Sequence, residues 1–486
     1  MAGDYSAWLN RGAEGRSLMT LVLLIGAFLA LLTEVSTNIA FPLFMEKFHV
    51  SVSAVQWLTT GFMLVMSAVL PASAFIMKRF RTRRIFFSAM FLLIAGTVLS
   101  GAAFSFAALL AGRLLQAAGT CVSMALLMNC VLILTPVHRR GAAMGAVSLV
   151  LLFAPAVAPT LAGLVIHASN WRMIYLGLAP FFIVLSAAAW FVLDDIHETE
   201  RVGIDVLSLV LSTVSFVCIL YGISCAGEEE TGARTVAAFL GAGLVSLSLF
   251  SLRQFRLEDP LVDLRVFCYP MFSLGVVLII LNMIMLFSVL VYAPMFLQAI
   301  YGLSPSQAGL VMLPAGFLGG ALSPFIGRLF DRVGPKPLIM TGVVLLGSAG
   351  WAFSRVGASS GTAAFIAVQC LYLTGTTMIM APSQTNGLNQ IPRHLYPHGT
   401  AVFTTLMQLG GGLGTALFVN ISSVCRKGYL AHAQTMGDEA QRAAMLHGFQ
   451  SAFLVLELAV TAAFVFTLFL RRSVTEERLG SMMKEC

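Results

Sequence analysis

The sequence predicts an all-α polytopic membrane protein with fourteen transmembrane helices, and three observations carry that prediction. First, 58% of the 486 residues are hydrophobic and only 10% are charged, and the mean hydropathy is +0.89. A soluble domain carries about 25% charged residues, and so few charges cannot cover this much apolar surface in water. Second, the apolar residues gather in fourteen windows: 18–41, 55–77, 85–105, 108–134, 143–166, 173–193, 206–225, 235–252, 271–293, 307–327, 338–354, 363–383, 402–423 and 449–470. A helix needs about 20 residues to cross the bilayer core, whereas barrel strands are shorter and alternate. Third, short polar turns separate the windows, and the longest gap, Val424 to Gly448, has 25 residues. A soluble enzyme, a disordered chain and a nucleic-acid binder are excluded at this step.

The first apolar run, from Leu18, contains a glutamate and is too long for the core of a secretory signal, so it reads as the first span. An even number of spans puts both termini on one side. With the N-terminus inside, the inside segments hold 21 Lys and Arg against seven outside, with Arg113 within a span. The inside set includes Lys78, Arg79, Arg81, Arg83 and Arg84, then Arg139 and Arg140, then Arg471 and Arg472. This bias makes both termini cytoplasmic. It also accounts for the net charge of +7 and the pI of about 9.1 without a nucleic-acid partner. Trp8, Trp57, Trp171, Trp190 and Trp351 fall near or outside window ends, as an aromatic belt would place them. The eight cysteines form no CxxC pair and the eight histidines lie in loops or near run ends, so neither metal ligation nor an intramembrane histidine relay is expected. The expected organisation is an N-terminal six-helix half over 1–200, a two-helix linker over 201–265, and a C-terminal six-helix half with a short tail over 266–486.

Three charged residues lie inside the windows: Glu34, Arg113 and Glu457. Each costs roughly 2.5–3.5 kcal/mol on insertion scales and so needs a reason. In the first window, Thr37 and Asn38 follow Glu34 at i+3 and i+4, so the three share one helical face that cannot point at lipid. That face is either a polar packing seam or a cavity wall whose carboxylate exchanges a proton as water access switches sides. In the fourth window Gln116 and Thr120 continue the face of Arg113. Glu34 and Arg113 both fall in the outer half, where they either pair or interact at a distance, unless Arg113 snorkels. Glu457, with Thr461 at i+4, reads first as a packing contact.

The fifth window has Gly145, Pro155, Pro159 and Gly163, with Ala154, Ala158 and Ala162 at i+4 spacing. Small-residue stripes let helices approach closely, and neighbours in a bundle can satisfy the carbonyls that proline frees. The thirteenth window has the comparable run Gly410, Gly411, Gly412 and Gly414. A faint repeat relates the turn Lys78–Arg83 to the turn Asp331–Lys336, each following a Phe-Ile pair, Phe75-Ile76 and Phe325-Ile326.

Together these residues resemble the fourteen-span drug/proton antiporter family of the major facilitator superfamily, over nearly the whole chain. Arg113, Gln116 and Gly119 look like its helix 4 motif implicated in proton transfer. Ala154-Pro155 through Pro159 and Gly163, followed by Trp171-Arg172, look like its helix 5 antiporter motif, with Ala154 and Ala162 where glycine is usual. Gly327, Asp331, Arg332, Gly334 and Lys336 look like the cytoplasmic gating loop. Glu34, Asn38, Ala40 and Pro42 are similar to the helix 1 motif. In the first-half copy of the gating loop, Lys78 stands where aspartate is usual and Arg81 where glycine is, a loss shared with the lincomycin-exporter-like branch. The run Gln56, Trp57, Thr60 and Gly61 also resembles that branch.

The resemblance implies a major facilitator fold of six, two and six helices and proton-driven export of lipophilic, neutral or monocationic drugs. It places the substrate cavity among helices 1, 2, 4, 5, 9, 10, 12 and 13. Candidates for substrate contact there are Phe62, Met63, Met66, Asn129, Asn282, Met285, Tyr292, Tyr372, Met380 and Gln408. Glu34, Asn38, Arg113 and Gln116 are the candidates for proton coupling. The expected partners are small lipophilic substrates, protons and the lipid bilayer, with no cofactor or metal. A monomer in the plasma (inner) membrane of a bacterium is expected, with a periplasmic adaptor left open. The rival readings are a proton-coupled importer of a nutrient and a membrane-embedded enzyme. The first calls for several polar groups fixing one substrate, the second for clustered catalytic groups, and neither pattern is evident.

Overall fold

A computed structural model describes residues 13–196, 203, 205–225, 232–257, 259–432 and 438–473; Trp8 and Cys486 lie outside them. Fourteen principal helices order the chain. The first six are α1 (Ala13–Ser36), α2 (Val52–Val69), α3 (Thr82–Gly101), α4 (Phe106–Leu134), α5 (Arg140–Ala168) and α6 (Ala179–Val192). Two more, α7 (Val206–Cys225) and α8 (Ala233–Arg256), form a hairpin. The last six are α9 (Pro270–Ala299), α10 (Pro305–Val333), α11 (Pro335–Phe353), α12 (Gly361–Gln390), α13 (Tyr396–His432) and α14 (Asp438–Leu468). No strand occurs among the described residues. Thirteen of these helices are long and apolar enough to cross a membrane alone, and α2 makes the fourteenth span together with Ser73–Arg79.

The second span differs from the expectation of one continuous helix. It bends by 51° at Leu70–Ala72, where Pro71 has no N–H to give to the preceding turn. The polar gap expected over 424–448 is also largely helix, because α13 runs on to His432 and α14 begins at Asp438. Serine side chains start several spans. Ser51 and Ser105 accept from the backbone N–H groups of Ala54 and Ala108, and Ser304 forms a capping box with Gln307.

Within each half, glycines bring helix pairs into backbone contact. A Cβ on Gly96 of α3 would lie 2.6 Å from the carbonyl oxygen of Gly112 of α4. The corresponding pair in the other half is Gly342 of α11 and the Gly375 carbonyl of α12, at 2.9 Å. The core of the C-terminal half is aromatic: Tyr292 sits among Phe296, Phe353, Phe365, Phe418, Phe449 and Phe453 with ring centroids 4.7–6.0 Å away. The two halves meet mainly along α5 and α10, with α13 closing against α2 and α4. The α7–α8 hairpin rests on both halves through α7, which packs on α2 and α13. Leu220 fills the space above Gly412, and Tyr221 lies 6.3 Å from the Trp57 ring.

Candidate functional site

A cavity of about 560 Å³ lies between the halves, lined by α1, α2, α4, α5, α9, α10, α12 and α13. Its walls are mainly apolar, and eight lining residues are methionines: Met63, Met66, Met124, Met128, Met283, Met312, Met380 and Met407. Such side chains adapt to varied apolar shapes. Two lining residues are charged, Glu34 and Arg113, and the polar ones include Asn38, Thr59, Gln298, Gln369, Thr404 and Gln408.

The guanidinium of Arg113 is held in place. Nη1 donates to the carbonyl of Thr33 at 2.9 Å and to Gln116 Oε1 at 2.9 Å, and Nη2 donates to the carbonyl of Glu34 at 3.1 Å. Gln116 is oriented in turn by donating to Thr97 Oγ1 at 2.9 Å. Both carbonyls belong to the last turn of α1, next to the 3-10 turn at Thr37–Ala40. The Phe62 ring lies 4.5 Å from the guanidinium carbon, adding a cation–π contact. Arg113 is 1% exposed, so it does not snorkel. Among the described residues it forms no ion pair with the Glu34 carboxylate. It grips the backbone of α1 while its charge lies beside that carboxylate.

The expected shared face of Glu34, Thr37 and Asn38 divides here. Glu34 and Asn38 line the cavity, and Asn38 Oδ1 accepts from Thr59 at 2.9 Å. Thr37 is buried on another side, with its hydroxyl 3.0 Å from that of Tyr175.

The end of the molecule that carries Arg140 and the Asp331 turn is closed. Asp331 of α10 caps α5 across the interface, accepting from the N–H groups of Gly141 at 2.9 Å and Ala142 at 3.1 Å. Buried Arg140 donates to Asn389 Oδ1 at 3.0 Å and to the Tyr396 hydroxyl at 2.8 Å, both in the other half. The backbones of Gly141 and Gly327 touch so closely that a Cβ on either would overlap the other's carbonyl. Gly145 likewise fits beneath the Ser323 carbonyl. Gly334 joins α10 to α11 at φ +85°, a conformation that suits glycine. Lys336 donates to the Leu468 carbonyl at 2.8 Å, and Arg332 is exposed. In the first-half copy of this turn, Arg81 pairs instead with Asp195 at 3.9 Å.

Of the ten substrate candidates, Phe62, Met63, Met66, Met380 and Gln408 line the cavity. The other five do not. Met285, Tyr292 and Tyr372 belong to the buried core of the C-terminal half. Asn129 and Asn282 are buried off the cavity, with amide atoms that have no partner among the described residues. Pro155 and Pro159 line the wall, whereas Gly163 has open space where a Cβ would be. The tight contacts of α5 with α10 fall elsewhere, at Gly141 and Gly145 and, beside the cavity, at Ala156 against Gly316. Sequence reasoning missed Gln298 and Gln369, which were detectable as amides within or beside apolar windows. It also missed the latch role of Arg140, for which position in a basic turn was the available signal.

A bundle with two helical halves around a central cavity, latched at one end, defines a membrane transporter. Residues 23–415 match the Major Facilitator Superfamily, and the chain belongs to it. Within the superfamily it falls in the lincomycin-exporter-like branch. It is 38% identical over 450 residues to a lincomycin resistance protein of Listeria monocytogenes, covering 93% of this chain and 96% of that one. It is 39% identical to the lincomycin resistance protein of Bacillus subtilis, covering 91% and 94%. A tetracenomycin C resistance and export protein of Streptomyces glaucescens is 26% identical, covering 84% and 76%. The solved structure of a proton:xylose symporter of the superfamily shares the fold at a TM-score of 0.68 with 14% identity, covering 97% of this chain and 100% of that one.

Proposed function

We propose that the protein is a proton-coupled exporter of lipophilic, neutral or monocationic compounds in a bacterial plasma membrane, working by alternating access. The observation that carries this reading is the cavity: one carboxylate, Glu34, beside one anchored guanidinium, Arg113, in otherwise methionine-rich walls. Relatives named for resistance to lincomycin and for tetracenomycin C export support a drug substrate. With the basic turns cytoplasmic, the closed end is the inner one. The cavity residues Asn38, Gln298 and Gly309 lie toward the opposite ends of their helices, so the conformation is outward-facing.

Glu34 can serve as coupler because its charge state depends on water. In an open, wetted cavity the ionised form is solvated and lies beside Arg113. In a closed, dry one it must take up a proton or be matched by a cation. Proton uptake from outside would release the substrate and permit closure, and proton loss inside would restore binding. A single acid suits a neutral or monocationic compound, since a second positive charge would lack a partner. The test is a proteoliposome assay with an imposed pH gradient and a panel of lipophilic compounds. Glu34→Gln should bind substrate yet lose uphill transport and substrate-induced proton release. Parental performance in both would leave Glu34 a packing residue.

A further inference from the structure

Glu457 of α14 has no role in this scheme, yet it sits inside the membrane-spanning region. Gln450, seven residues earlier, donates to the Val356 carbonyl just beyond the end of α11. At 1.5 Å per residue, Glu457 lies about 10 Å deeper. Its carboxyl group occupies a notch on α11: a Cβ on Gly350 would overlap Oε1, and one on Gly347 would sit 3.5 Å from Oε2. Among the described residues no donor bonds to the buried Oε1. Thr461, one turn on, donates to the Glu457 backbone carbonyl at 2.9 Å. In an ionised carboxylate there Oε1 would lack a donor, and among the described residues Glu457 forms no ion pair, so the site favours the protonated group.

The surroundings point inward. From α9 comes Met285, apolar, against Gly350. Tyr372 of α12 packs on α11, its ring centroid 5.7 Å from that of Phe353, and among the described residues its buried hydroxyl has no hydrogen-bond partner. One turn away on α12, Gln369 lines the cavity, and its buried Oε1 is also without a partner among the described residues. Glu457 on α14 and Tyr372 and Gln369 on α12 thus each carry a buried polar atom with unused capacity, and the last of them is on the cavity wall.

We propose that Glu457 is a second proton-binding carboxyl of the transporter, exchanging its proton with the cavity past Tyr372 and Gln369. The functional part rests on the proton-coupled reading above; the protonated carboxyl does not. Two measurements test it. Dicyclohexylcarbodiimide adds to a protonated carboxyl without loss of atoms, so peptide mapping should find the mass of one reagent on the Glu457 peptide of the wild-type protein. The Glu34 peptide is scored separately. In proteoliposomes with the membrane potential clamped to zero, two coupled protons per substrate should sustain a gradient about tenfold steeper, at one unit of ΔpH, than one proton can. E457Q should therefore lower the steady-state gradient about tenfold while leaving downhill flux measurable. Absence of label on Glu457, or a parental gradient in E457Q, overturns the proposal. If E457Q does not assemble, wild-type vesicles treated with the reagent under substrate protection of Glu34 give the same readout. Failure of the Glu34 reading is distinct, because E34Q would then keep its full gradient.

Discussion

Removing the Asp331 carboxylate should open the end of the molecule that Arg140 and Asp331 now close. Its two oxygens accept from the first N–H groups of α5, at 2.9 and 3.1 Å, and the helix belongs to the opposite half. Hydrogen bonds to a charged group contribute about 1.5–3 kcal/mol each, and a helix N-terminus adds roughly 0.3–1 kcal/mol for a nearby anion. Asp331 is partly exposed, so water replaces some of this when the carboxylate is lost. Taking the lower values and discounting for solvent leaves about 2 kcal/mol, or roughly thirtyfold in the ratio of closed to open forms. Asp331→Asn retains one acceptor oxygen and should give an intermediate shift, about fivefold for about 1 kcal/mol. Spin labels at the exposed positions Arg139 and Arg332, in a background lacking the exposed Cys268, report the separation across this end. Pulsed electron–electron resonance should show a longer-distance population that grows from parent to Asn to Ala. Identical distance distributions in all three would refute the assignment of Asp331 as a latch.

Arg113→Ala leaves the Thr33 and Glu34 carbonyls and Gln116 without their donor, at a cost of about 2–4 kcal/mol. It should lower the thermal midpoint in detergent and impair coupling. Arg113→Lys keeps the charge but cannot fork across two carbonyls, so it should restore only part of each. Gly316→Val collides with Ala156 and should cost about 1–3 kcal/mol and slow transport, whereas Gly163→Leu enters open space and should transport nearly normally. Reversal of that order in a flux assay would show that contact of α5 with α10 is not what limits the motion. The topology is checked by cysteine labelling: Tyr429→Cys should react in intact cells with an impermeant reagent, and Arg81→Cys should not. Hydrogen bonds from Arg253 hold the Asp205 carboxyl down at about 2, so their contribution to tying the start of α7 to the end of α8 is present above the ordinary carboxylate range. It should fade as pH falls toward 2, seen as faster proteolysis near Gly203, and Asp205→Asn should remove the pH dependence.

The spans were legible because hydropathy over some 20 residues answers one physical question, transfer from water to hydrocarbon. The isolated Glu34 and Arg113 were legible for the same reason, since a charge within an apolar run must have a use. Lysine and arginine placement pointed to a sidedness. Which way each apolar residue faces was not legible. Lipid is as apolar as a protein core, so a span buried in the bundle and one facing the bilayer have similar composition. Met66 therefore could not be told from Met285, nor Phe62 from Tyr292, although the first of each pair lines the cavity and the second packs in a core. The latch was out of reach for a different reason. Asp331 meets Gly141 across 190 residues, and Arg140 meets Tyr396 across 256. Arg113 proved to hold the Thr33 and Glu34 carbonyls and Gln116 rather than the Glu34 carboxylate. Contacts of that kind arise only when distant segments are brought together, because local pattern records what a segment prefers to be buried in and says nothing of which distant atom will lie 3 Å away.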